Sequence, residues 1–207
     1  MHIEFLVEES SAEAALFNIV ARILSQDISF RIHPHQGKQD LLGNLLPRLR
    51  GYKSWLPEDW RIVVLVDADD EDCRILKNRL ENIANNARRV TKSQRSIGSN
   101  IQILNRLAIE ELEAWFFGDV EAIRAAYPRV PLNLANKAKY RDPDAITGGT
   151  WEALERELKR VGYYTGGLSK ISAAREISLR MVPERNRSHS FQLFRQGLLE
   201  ITGSLNT

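Results

Sequence analysis

The stretch Ile62-Val63-Val64-Leu65-Val66-Asp67-Ala68-Asp69-Asp70 constrains this chain more than any other. Its five leading aliphatics, four of them β-branched, show no polar alternation. A strand with one wet face alternates, whereas an unbroken apolar run belongs to a strand buried on both faces, as in a helix-covered parallel sheet. The run stops at carboxylates. Ligands of open α/β sheets bind beyond the carboxyl ends of the strands, so Asp67 and Asp69 are expected at the mouth of a site. Two residues apart on an extended tip, they can lean to the same side. Converging hard oxygen donors of this kind suit Mg²⁺ or Mn²⁺. The competing reading is that Asp69 or Asp70 caps the helix that follows.

The same grammar occurs at the N-terminus. His2 to Val7 reads as a strand, ends in Glu8-Glu9, and is followed by Ser10-Ser11-Ala12-Glu13, which has the spacing of a capping box. Leu16, Val20, Ile23 and Leu24 then recur at helical spacing. Glu8 is therefore expected at a second strand tip on the same sheet edge; the alternative is an acid favoured by the helix dipole. A third strand is expected over 28–33 and a helix over 41–49, interrupted at Pro47. A further helix lies over 75–87, and a strand over 101–107 runs directly into a helix from Ala108 to Gly118. On that helix Ile109, Leu112, Trp115 and Phe116 share one face, and Glu110 or Glu113 is placed to reach toward Asp67. His33-Pro34-His35 lacks further Cys or His at ligand spacing.

This β-α-β-α-β-α-β-α pattern predicts an α/β fold with a mainly parallel sheet flanked by helices. Beyond Val120, Pro128, Pro131, Pro143 and Gly148-Gly149 punctuate short helices. The expected organisation is an α/β domain over 1–119 and an appended C-terminal helical lobe over 120–207. No run approaches 18 apolar residues, so neither a membrane span nor a secretory signal is read. The single cysteine, Cys73, excludes an internal disulfide and fits a reducing cytoplasm.

The net charge of +2 is unevenly spread. Between Asn82 and Ile109 stand five basic residues, Arg88, Arg89, Lys92, Arg95 and Arg106, and no acid. Acids crowd instead into Glu8-Glu9, Asp67 to Asp72 and Glu110 to Glu113. Acidic clusters among basic stretches suit a metal-dependent enzyme acting on a polyphosphate; solvated helix faces would give the same pattern.

With Glu8, Asp67 and Asp69 at strand tips, the chain resembles the Toprim domain of topoisomerases, bacterial primases and the overcoming-lysogenization-defect nucleases. That pattern is a Glu after the first strand and Asp-x-Asp after a later one, here Glu8 and Asp67-Ala68-Asp69. The glycine usual after that glutamate is replaced by Glu9. Val66 to Asp70, Ile109 to Trp115, Asp142-Pro143-Asp144-Ala145 and Asn186-Arg187-Ser188-His189-Ser190-Phe191 together resemble a Toprim-related bacterial family, domain-of-unknown-function family 4276. The resemblance implies a Mg²⁺- or Mn²⁺-dependent phosphodiester-cleaving protein that works with an ATPase partner in phage defence. Under it Glu8, Asp67 and Asp69 hold the metal, and Glu113 completes the catalytic carboxylates. Arg88, Arg89, Lys92, Arg95, Arg106 and Arg187 would hold nucleic-acid phosphates. The rival reading is a non-catalytic interaction subunit presenting Trp115-Phe116-Phe117, or the helical lobe, to an ATPase.

Overall fold

The computed structural model describes residues 1–52, 54–94 and 100–204. Strands β1 (His2–Val7), β2 (Ser29–Pro34), β3 (Trp60–Asp67) and β4 (Ile103–Ala108) form one wholly parallel sheet in the order β2-β1-β3-β4. The helices between them are α1 (Ser10–Ile23), α2 (Lys38–Tyr52) and α3 (Cys73–Asn86). After β4 come α4 (Ala114–Gly118), α5 (Val120–Ala126), α6 (Thr150–Arg160), α7 (Lys170–Ser178) and α8 (His189–Ile201), joined by short 3₁₀ turns.

The two faces of the sheet carry separate cores, which is why β3 shows no alternation. Ile62, Val64 and Val66 pack with Leu6 under α2 and α3, against Leu41, Leu45, Leu49, Leu76 and Leu80. Val63 and Leu65 point the other way, into a larger cluster with Ile3, Phe5 and Val7. That cluster also contains the apolar side of α1 and Trp115, Phe191, Phe194, Leu198 and Leu154 from the later helices. Residues beyond 120 thus bury their apolar surface on the sheet face that α1 covers.

Local reading fails at identifiable places. Residues 109–113 are not helical: β4 ends at Ala108, Glu110 takes the left-handed φ of 59°, and α4 begins only at Ala114. Trp115, Phe116 and Phe117 are fully buried, so the sequence Trp-Phe-Phe is core and not a surface offered to a partner. Helix α2 runs through Pro47 to Tyr52. The Ser10–Glu13 capping box does not form; Glu9 is the residue before α1, and its carboxylate accepts a hydrogen bond from Ser11 Oγ.

Candidate active site at the strand tips

Strand order decides where a site can lie. From β1 the chain steps outward to β2, then crosses back to place β3 on the other side of β1. The order therefore reverses between β1 and β3, where connecting segments diverge and leave a crevice beyond the carboxyl ends. Glu8 and Asp67 stand at the two lips of that crevice. Glu8 Oε1 accepts the backbone N–H of Asp67 at 2.8 Å, fixing one carboxylate beside the other. The tip beyond Asp67 is tied to the tip of β4: Ala68 N–H donates to Ala108 O at 2.8 Å, and Asp69 N–H to Glu110 O at 2.7 Å. Both Asp69 (φ 48°) and Glu110 (φ 59°) sit in the left-handed region, a conformation non-glycine residues hold only when the surroundings impose it. Asp72, and neither Asp69 nor Asp70, caps α3, accepting from the N–H groups of Arg74 and Ile75. The Asp-x-Asp pair is thereby free of capping duty.

Charge at the tips is poorly compensated. Burial first, then the neighbouring Asp69 and Glu9, push the Glu8 carboxyl up to about 7 against the opposing pull of the Asp67 N–H and Lys38. Burial raises Asp67 well above the carboxylate range, and Glu8, Glu113, Asp69 and Glu111 all add to the effect. Glu113, 2% exposed, is pushed by burial to about 7 even with Lys170 opposing. Glu111 plays a structural part, since its Oε2 accepts from Thr150 Oγ1 at 3.0 Å and from Trp151 N–H at 2.8 Å, capping α6. Hard oxygen donors carrying unneutralised charge fit a divalent cation chemically. Yet no three His, Cys, Asp or Glu side chains among the described residues converge closely enough to ligate one ion. Asp69 Oδ2 is turned to Lys38 Nζ at 2.6 Å.

Two lysines enter the site that sequence reading passed over. Lys38 opens α2 directly after the β2 tip, and Lys170 opens α7 with its Nζ 5.1 Å from the Trp151 ring centre and 3.9 Å from Glu9. Lys38 had a legible signal: it follows Gly37 at the start of a helix, beyond a third strand tip on the same edge. Lys170 had none, because its approach depends on α7 packing across α1.

The basic stretch lies elsewhere. Helix α3 leads away from the tip of β3, so Arg88, Arg89 and Lys92 stand at the opposite end of the sheet, about 20 Å off by the rise of 14 helical residues. Arg88 is exposed, but Arg89 is buried and Lys92 pairs with Glu200. Arg106 Nε donates to Leu193 O at 2.9 Å, clamping β4 to α8. Arg95 lies outside the described residues. Arg187 is exposed beside Arg185, which is itself held by Asp119 and Glu121. The N-terminus of α8 is taken by Asp144, which accepts from Ser188 Oγ (2.7 Å), Ser190 Oγ (3.0 Å) and Ser190 N–H (2.8 Å).

The family model described as Domain of unknown function (DUF4276) matches residues 7–199. The chain belongs to that family. Among solved structures, one similar to this DUF4276 chain is the C-terminal region of the Xanthomonas campestris pv. campestris OLD protein. The two share 17% identity at a TM-score of 0.44, with 98% of this chain and 96% of that one covered. The comparison with curated proteins finds no match for the DUF4276 chain.

Proposed function

We propose that this chain is a divalent-cation-dependent phosphodiesterase acting on nucleic acid, with its active site at the β1–β3 crevice. One observation carries the reading. The Glu8 carboxylate is held at the strand-order reversal by the 2.8 Å contact of its Oε1 with the Asp67 N–H, close enough for its charge to act on the Asp67 carboxyl. Glu8, Asp67 and Asp69 would hold Mg²⁺ or Mn²⁺, which when bound supplies a water of lowered pKa and neutralises phosphate charge. The chain's own groups do the rest. Glu8, with its carboxyl near 7, can hold or release a proton close to neutrality. Glu113 at the floor of the site is similarly poised. Lys170 over Trp151 offers a cation beside an aromatic face, the pairing that suits a phosphate and its base. Work alongside an ATPase in phage defence is part of the same proposal and rests on family resemblance.

A cleavage assay tests it. Purified wild-type protein should cut single- or double-stranded nucleic acid with Mn²⁺ present, and Asp69→Ala should lose at least about a hundredfold in rate, the scale expected when a charge-stabilising group is removed. Equal rates for the two would assign the activity elsewhere.

A non-catalytic reading, an interaction subunit of an ATPase complex, is favoured by a different observation. Phe17, Ile171 and Leu179 are 66%, 43% and 48% exposed and line one groove between α1 and α7. Apolar side chains so grouped mark contact surfaces. Under this reading Phe17→Ser would abolish association with the ATPase, and Asp67→Asn would leave biological activity intact.

A further inference from the structure

Lys38 is the least expected residue at the strand tips. A cation in the first turn of a helix opposes the helix dipole, and Lys38 is the first residue of α2. Its side chain is only 9% exposed, although its partners Asp69 and Glu71 are 51% and 41% exposed. Nζ has three acceptors for its three protons: Asp69 Oδ2 at 2.6 Å, Ala68 O at 3.2 Å and Glu71 Oε1 at 3.2 Å. The turn that delivers it is bolted to the tip of β1. His35 N–H donates to Val7 O at 3.0 Å, and Gly37 N–H, at a φ of 97° suited to glycine, donates to Glu8 O at 2.8 Å. The ammonium therefore reaches the Asp-x-Asp tip from a fixed base, not from a mobile loop.

The consequence appears in the carboxylates. Asp69 faces Lys38, while Asp67, two residues back, accepts no hydrogen bond or ion pair from a described residue through its side chain. The pair that should close on one ion is split between an ammonium and the crevice. We propose that Lys38 is a built-in counter-cation that competes with the divalent ion for Asp69. In this arrangement the ammonium holds the site in its ion-free form, and ion binding requires Asp69 to exchange Lys38 for the metal. Lys38 thus sets the ion concentration at which the site assembles. This inference rests on the cation-binding reading above, and its test separates the two.

Calorimetric titration of Mn²⁺ into wild-type protein, Lys38→Met, Lys38→Arg and Asp67→Asn reads affinity directly, without any activity. Lys38→Met removes the competitor at similar side-chain length and should bind Mn²⁺ about tenfold more tightly. Lys38→Arg keeps the charge, adds a bidentate grip on Asp69, and should bind as wild type or more weakly. Should Lys38→Met fail to fold, Lys38→Arg decides: tighter binding than wild type would overturn the competition. Equal or weaker binding by folded Lys38→Met would overturn it too, and would make Lys38 a support of the site. If wild type binds no Mn²⁺ and matches Asp67→Asn, the cation reading itself falls and takes the inference with it.

Discussion

Glu8 shows how one residue ties the site to the stability of the fold. Its carboxyl titrates near 7 in the folded protein against an ordinary value of 4.5. A raised carboxyl means that the folded state binds the proton more tightly than the unfolded chain does. Its stabilising contribution is complete below about 4.5 and is lost as pH rises through about 7. Ion-free wild type should therefore gain stability on going from pH 8 toward 5.5, by about 2 kcal/mol from this group. Glu8→Gln, neutral at every pH, should flatten that part of the profile; parallel wild-type and variant melting curves across this range would show that Glu8 does not carry the effect. Sequence reading reached Glu8, Asp67 and Asp69 because each ends an apolar strand, a pattern written in adjacent residues. It reached neither Lys38 nor Lys170, and it expected Arg106 on phosphate where the structure has it on Leu193 O. Lys38 was legible from its position after Gly37 at a strand tip, whereas the placements of Lys170 and Arg106 depend on which helix packs across which element.

At the scale of elements, what was readable follows from how local the determinant is. Strand β3 was legible because burial on both faces leaves an unbroken aliphatic run. The segment 109–113 was not: Ile109, Leu112 and Trp115 keep helical spacing, yet a left-handed Glu110 bonded to Asp69 across 41 residues breaks the helix. Nothing near Glu110 announces that partner. Helix α2 continues through Pro47 because its apolar stripe is buried on both sides of the proline, Leu41, Leu42 and Leu45 before it and Leu49 and Tyr52 after it, and that burial outweighs the lost hydrogen bond. The motifs Asp142-Pro143-Asp144-Ala145 and Asn186 to Phe191 turn out to meet each other. Asp144 holds the first turn of α8, and Ser190 Oγ accepts from Trp115 Nε1 at 2.9 Å. Asp144→Ala leaves those donors without their acceptor and should cost about 1–3 kcal/mol. Chemical denaturation would show it as a lowered midpoint at unchanged slope, whereas an unchanged midpoint would make the network incidental.

Across the whole molecule, the sheet presents two ends of different character. Beyond the carboxyl ends lie Glu8, Asp67, Asp69, Glu110 and Glu113, with Lys38 and Lys170 set against them among the described residues. At the other end lies the basic turn after α3. Arg88 therefore stands away from the acidic crevice, and Lys170 is a basic side chain that lies beside it. Charge repulsion is gathered at a single edge, where burial and neighbouring acids favour the protonated carboxyls, and under the proposed function a divalent ion would relieve it in the same way. That makes the melting temperature at pH 8, with and without millimolar Mn²⁺, the most direct measurement. An ion that binds only the folded state stabilises it by about 2.7 kcal/mol at a hundred times its Kd. The wild-type melting temperature should rise by several degrees, Asp67→Asn should lose most of that rise, and ion-free Asp67→Asn should be at least as stable as ion-free wild type. A wild-type melting temperature that Mn²⁺ leaves unchanged would contradict the account.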